Sequence, residues 1–254
     1  QAKITSITQD APASSMTLTG AQYANDQAAL GKITGGYTAT VSNVTAANAA
    51  SVAADSSVTA LTVRDTAANI AANLDALQTH HAKITSTTQT DAGTPLAITG
   101  TQVTNDADAL ADITPNTYTV QASGTFSASD ALALITANSH VAVTISDTAA
   151  NIVSNLADLV TNRAQITSIT QSNAGALNVS YAQATDANTI TTLNKINSGT
   201  YTLNVSGVSA ANVSSLAANT KVTSMLVTDT SANIATNLDA LQTHQAKITS
   251  ITQS

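Results

Sequence analysis

The octet Ala2-Lys3-Ile4-Thr5-Ser6-Ile7-Thr8-Gln9 returns almost letter for letter at 82–89, 164–171 and 246–253, at offsets of 80, 82 and 82 residues. Self-similarity at a fixed period marks stacked units that share one continuous core, rather than a fold organised around a single pocket. The copies run 2–81, 82–163 and 164–245, and 246–254 opens a fourth with its first strand. Gln1 stands in mid-repeat, which predicts a piece of a longer array. Each copy alternates strand-like and helix-like segments three times, so the physical unit is a β-α coil of about 27 residues.

The clearest helix covers 65–77, with echoes at 147–159 and 229–241. Ile70, Leu74 and Leu77 lie at i, i+4 and i+7 and form one apolar stripe; Ile152, Leu156 and Leu159, then Ile234, Leu238 and Leu241, repeat it. Asp65 or Thr66 reads as the cap of this helix. A second helix starts at Thr45, Ser127 or Ser209 and carries Val52, Leu134 or Leu216 seven residues on. A third runs from about Gln22, Gln102 or Gln183 to Ile33, Ile113 or Ile196.

Between them, 37–41, 118–122 and 201–205 alternate apolar and polar residues with period two and predict half-exposed strands. Residues 141–145 and 222–227 are apolar on both sides and predict strands covered on both faces. Short strands at 16–19, 96–99 and 177–180 follow turns at Asp10-Ala11-Pro12, Asp91-Ala92-Gly93 and Asn173-Ala174-Gly175. The fold class expected is α/β, an open solenoid of β-α coils on a mainly parallel sheet, with three tandem repeats of about 81 residues. Strands pack about 4.8 Å apart and helices about 8–10 Å, so sequence leaves a straight or a curved stack open.

Composition narrows the chemistry. Apolar residues make up 43% of the chain, only 2% is aromatic, and all 15 acidic residues are Asp. The net charge is −7 and the eight Lys and Arg residues are scattered singly. That argues against nucleic acid, which needs clustered cations to release counterions. Cysteine is absent, so disulfides and Cys-containing zinc sites are excluded. No apolar run approaches the twenty or so residues of a membrane span, so no membrane insertion is expected.

Candidate sites each carry a bland alternative. Asn69 and Asn73, repeated as Asn151 and Asn155 and as Asn233 and Asn237, could form a ligand ladder; stacked amides bonded to each other or to backbone are the simpler account. Asn105-Asp106-Ala107-Asp108 gathers oxygens of the kind Ca²⁺ takes, but lacks the spacing of an EF-hand loop, and acidic groups at helix starts are usually caps. His80, His81 and His244 close helices, where a cation suits the dipole, and His140 stands alone near a turn. Thr5, Thr8, Thr38 and Thr40 could make hydroxyl rows that suit ice or glycan, or could simply solvate β-structure. No nucleophile elbow, phosphate loop or dinucleotide fingerprint occurs. No residue is assigned a catalytic, cofactor-binding or metal-binding role, and no cofactor is expected.

The D-T-A-A-N-I-x-x-N-L-x-x-L helix followed by A-K-I-T-S-I-T-Q resembles, over the full chain, the repeats of very large secreted surface proteins of Gram-negative, especially alphaproteobacterial, cells. These are adhesin-like proteins of the β-strand-repeat or RTX-associated type. The resemblance implies an extracellular or cell-surface location, often by type I export, and a scaffold or adhesive role. The calcium nonapeptides usual in that class are missing here. The expectation is a non-enzymatic spacer, surface-layer, filament or adhesin-stalk segment, whose partners are neighbouring repeats or copies of itself end to end. A glycan- or ice-binding module using the Thr/Asn/Gln-rich strand face is the alternative, with surface glycan as its partner. An enzyme in the manner of β-helical polysaccharide lyases comes third, for want of clustered ionisable residues.

Overall fold

Parallel neighbouring strands need a crossover connection, usually a helix, and among the described residues the strand pairs of this chain are parallel. The computed structural model describes residues 4–9 and 14–254 and is a mixed α/β fold with strands and short helices alternating around several parallel sheets. The turn expected at 10–12 lies outside the described residues. Two compact units form, one from 1–123 with 137–141, the other from 124–136 with 142–254.

In the first unit, β1 (Ile7–Thr8) pairs with β3 (Ile33–Thr34). β2 (Met16–Thr19), β4 (Ala39–Val44), β5 (Val58–Asp65) and β6 (Ile84–Gln89) make a four-stranded sheet in that order, and β7 (Leu96–Thr99) pairs with β8 (Val120–Ser123). The helices between them are α1 (Gly20–Asn25), α2 (Gln27–Leu30), α3 (Ala46–Ala54), α4 (Ala67–Ala72), α5 (Leu74–His80), α6 (Gly100–Asn105) and α7 (Ala107–Ala111). Leu61, Ile70, Leu74, Leu77, Leu96, Ile98, Leu110 and Ile113 are fully buried and constitute the centre of this unit's core.

In the second unit, α8 (Ala128–Ala137) leads to β9 (Val141–Asp147), α9 (Ala149–Ser154), α10 (Leu156–Thr161) and β10 (Ile166–Gln171). β11 (Leu177–Ser180), β12 (Leu203–Val208), β13 (Val222–Asp229) and β14 (Ile248–Gln253) form a sheet in chain order. They are interleaved with α11 (Tyr181–Thr185), α12 (Ala187–Leu193), α13 (Val213–Ala217), α14 (Ser231–Thr236) and α15 (Leu238–Thr243).

Several expectations need correction. The helix read over 65–77 is two helices, broken at Asn73, whose φ/ψ of −115°/12° leaves the helical region. Asn155 and Asn237 break the echoes in the same way. At each break the side-chain amide donates to the carbonyl four residues back, Asn73 Nδ2 to Asn69 and Asn155 Nδ2 to Asn151 at 2.9 Å and Asn237 Nδ2 to Asn233 at 2.8 Å, and so caps the end of the first helix. The helix read from Gln22, Gln102 or Gln183 also splits, at Asp26, Asp106 and Asp186. It begins two residues earlier, because Thr19, Thr99 and Ser180 are N-caps and the glutamines close capping boxes.

The strands read as covered on both faces alternate instead. In β13 Val222, Met225 and Val227 are buried, whereas Leu226 on the other face is exposed. Tyr118 and Tyr201 precede their strands and are themselves buried. β4 and β12 each slip register against the next strand, between Val41 and Val44 and between Val205 and Val208. The extra residue is Asn43 or Gly207, both at positive φ, a conformation that glycine takes freely and asparagine tolerates.

Candidate functional site

The recurring octet and the helix before it are the residues most constrained by repetition, so any site should be sought there first. Lys83 Nζ donates to the carbonyls of Ala53 (2.7 Å) and Asp55 (2.8 Å), at the C-terminal end of α3. Lys247 does the same for Ala217 (2.8 Å) and Asn219 (3.2 Å) after α13. A cation bonded to free carbonyls at a helix end satisfies both the acceptors and the dipole. Thr85 Oγ1 donates across the sheet to the Leu61 carbonyl at 3.2 Å, and Ile84 is buried. Gln89 Nε2 clasps the following turn through the carbonyls of Asp91 (2.9 Å) and Thr94 (2.7 Å), and Gln171 clasps Asn173 and Gly175, both at 2.7 Å.

The aspartate read as a cap serves two helices. Thr66 Oγ1 accepts from the Asn69 N–H and is the N-cap of its own helix. Asp65 Oδ1 accepts from the Thr66 N–H (2.9 Å) and Asn69 Nδ2 (2.6 Å), while Oδ2 accepts from the Ala46 N–H (2.9 Å) at the start of α3. Asp147 repeats this with Thr148, Asn151 and Ala128, and Asp229 with Thr230, Asn233 and Ala210, all between 2.7 and 2.9 Å. Burial opposes the charge on Asp147, but the hydrogen bonds from Ala128, Asn151 and Thr148 outweigh it and hold the carboxyl below its usual value of 3.8. The Asn ladder thus belongs to these clamps and to the helix breaks.

One more cap explains a variation between copies. Asp91 Oδ1 accepts from the Ala67 N–H, and Asn173 Oδ1 from the Ala149 N–H, both at 2.7 Å. Where one oxygen is used, Asn stands in for Asp. Where both are used, at 65, 147 and 229, all three copies keep Asp.

The stretch considered for calcium does not converge. Asp106 is buried beside Asp75, whereas Asp108 Oδ2 turns to Gln78 Nε2 (3.0 Å) and His81 Nε2 (3.7 Å). Among the described residues no group of three or more His or Asp side chains is placed to hold a metal. Burial first, then the hydrogen bond and negative charge of Asp75, push the Asp106 carboxyl up to about 6. Asp75 moves the opposite way, held down chiefly by hydrogen bonds with Gln102, which donates to its Oδ1 at 2.9 Å, and with Asp106. Asp106 is therefore the acid that keeps its proton to higher pH, and Asp75 the one that ionises first.

A group whose folded pKa is raised stabilises below that pKa, and the contribution is lost as pH climbs through it. We expect the urea midpoint to fall as pH rises from 3.8 to about 6, and the fall to shrink in Asp106→Asn, whose amide does not titrate. An unchanged slope in that variant would show that the pair does not set it.

The histidines do not assemble. His140 stacks on Tyr118 with centroids 4.5 Å apart, and His80 and His244 sit at helix ends in their respective units. On the strand face, Thr40 and Thr223 turn their hydroxyls to the carbonyls of the adjoining strand, at 3.5 and 3.0 Å from Met16 and Leu203. Those hydroxyls are engaged within the sheet. Thr5 and Thr8 lie exposed on the segment ending in β1.

A hollow of about 570 Å³ in the first unit lies between α1 and α3 and is lined by Gly20, Ala21, Tyr23, Val44, Asn48 and Val52 among others. Its one ionisable lining group, Tyr23, has its pKa pushed up to about 12 by burial and by Asp55, whose Oδ2 accepts from the Tyr23 hydroxyl at 2.5 Å. No acid–base pair faces the hollow. A Cβ on Gly20 would come within 3.1 Å of the Asn43 carbonyl oxygen and the Val44 Cα, so the glycine lets the two backbones approach closely; the same position in the second unit is Tyr181.

What repetition could not reveal was the partner of each repeated residue. The clamp on Ala46 comes from 19 residues further along the chain and the lysine cap on Ala53 from 30. The one available signal was Asp held at 65, 147 and 229 against Asp or Asn at 91 and 173. Compared with protein-family models, curated proteins and solved structures, the chain matches none.

Proposed function

We propose that this chain is a segment of an open α/β solenoid, built of three tandem repeats of about 81 residues, that acts as a non-enzymatic spacer or stalk at the cell surface. One observation carries the reading. Residues of the repeated segments, Asp65 with Asp147 and Asp229, Lys83 with Lys247, Thr85, and Gln89 with Gln171, are occupied in capping, bridging and clasping successive coils. Selection for such residues is selection for stacking. No constellation of base, nucleophile and oxyanion donors competes with it among the described residues. The extracellular placement is supported by the resemblance of the D-T-A-A-N-I helix and octet to secreted surface repeats. Among the described residues no helix is long and apolar enough to cross a membrane.

A quasi-one-dimensional stack loses a unit without losing its fold. Deleting 82–163 joins octets of the same phase, so the shortened chain should unfold cooperatively in urea with a smaller m-value, because less surface is exposed. Small-angle scattering should show the longest dimension shortened by about a third. A deletion that leaves an unfolded chain would overturn the solenoid reading. The glycan alternative is tested by retention on polysaccharide columns, with Thr38→Lys and Thr202→Lys as the disrupting pair.

A further inference from the structure

Gly20 and Val44 both line the hollow between α1 and α3, and they adjoin: a Cβ on Gly20 would lie 3.1 Å from the Val44 Cα. Each can be matched across the repeats. The capping boxes at Thr19, Thr99 and Ser180 align Gly20 with Gly100 and Tyr181. The aspartate clamps on Ala46, Ala128 and Ala210 align Val44 with Phe126 and Val208. Each later copy therefore carries one aromatic residue at this pair of positions, Phe126 in the second and Tyr181 in the third, both half-buried. The first copy carries none, and there the hollow measures about 570 Å³.

The walls of the hollow lie within one copy. Gln22 and Asp26, whose counterparts Gln102 and Asp106 face Asp75 of the coil before, are not among them. Its floor is apolar, with Tyr23, Val44 and Val52 all buried. Thr45, Asn48 and Ser51 stand exposed along one rim, and the Thr45 side chain does not cap its own helix. Among the described residues the walls carry no charged side chain, and the Tyr23 hydroxyl is committed to Asp55. An apolar concavity with a few neutral hydrogen-bonding groups, of roughly 300–1,000 Å³, is the usual form of a small-molecule site. A charged ligand would shed water there without meeting a counter-charge.

We propose that this hollow binds an uncharged aromatic molecule of one or two rings bearing a hydroxyl or amide group, its ring standing in for the side chains that the later copies carry at these positions. The polar group of the ligand meets Thr45, Asn48 and Ser51 at the rim, and its ring lies over Tyr23, Val44 and Val52. This binding is additional to the stacking role, and neither depends on the other.

The chain has no tryptophan, so the fluorescence of added 2-naphthol, a neutral two-ring phenol, is read without an indole background. Titration of the whole chain should show one saturable site. 2-Naphthalenesulfonate, with the same rings and a fixed charge, should bind about tenfold more weakly or worse. Ser51→Phe puts a ring into the hollow from an exposed position and should weaken 2-naphthol binding by about tenfold or more. Val44→Phe, which copies the second repeat, should do the same. Ser215→Phe, at the counterpart of Ser51 in the third copy, should leave binding unchanged, and circular dichroism checks that each variant is folded.

Absence of saturable binding, equal affinity for the sulfonate, or undiminished binding in folded Ser51→Phe and Val44→Phe chains would each overturn the proposal. A loss in Ser215→Phe as large as that in Ser51→Phe would overturn it too, by placing the probe elsewhere.

Discussion

Asp147→Ala should lower the stability of the chain by roughly 2–4 kcal/mol, because it strands backbone N–H groups at the starts of α8 and α9 together with the Asn151 amide. Each buried donor left unpaired costs about 1–3 kcal/mol, and loss of a helix N-cap about 1 kcal/mol. The shift of the urea midpoint measures it. Asp147→Asn should lose less, since the remaining carbonyl oxygen still accepts as Asn173 does for Ala149. Equal losses in the two variants would mean that the second oxygen contributes nothing. The penalty also has a pH signature: a carboxyl whose folded pKa is depressed stabilises above 3.8 and loses that contribution as pH falls through the folded value. The difference between wild type and Asp147→Ala should therefore narrow in acid, opposite in sign to the effect of Asp106.

Leu156→Ala should cost about 2–5 kcal/mol, the range for emptying a fully buried leucine site. Leu238→Ala, at the same place in the repeated pattern, should cost under about 1 kcal/mol in dilute monomeric protein. Leu156 is 1% exposed and Leu238 56%. The contrast is a test of environment at constant sequence, since both leucines follow a helix-breaking Asn and precede a buried leucine three residues on. Thermal and urea unfolding of the two variants side by side would settle it. Equal losses would show that Leu238 is covered in solution.

Much of the fold was legible because its determinants are local. The stripe of Ile70, Leu74 and Leu77 is buried in the first unit as the i, i+4, i+7 spacing predicts, and its echo of Ile152, Leu156 and Leu159 in the second. Parallel pairing followed from alternating strands and helices. The break at Asn73 was hidden, because a one-residue departure from helical geometry leaves the apolar periodicity intact. The clamps were half visible: Asp65 was identifiable as a cap, but its second oxygen reaches Ala46, and nothing in the intervening residues encodes that distance. The Asp75–Asp106 pair arose where Asp75 and Asp106 happen to face each other; the equivalent of Asp75 in the next copy is Ala157, so no ladder of acids forms.

By itself the amino-acid sequence determined the period, the apolar face of each helix and strand, and the identity of the residues with a repeated task. Tertiary structure alone decided which neighbour each of those residues serves. Leu74, Leu156 and Leu238 show why: side-chain chemistry defines what a position can bury, whereas the packing partner, distant along the chain, decides whether it is buried.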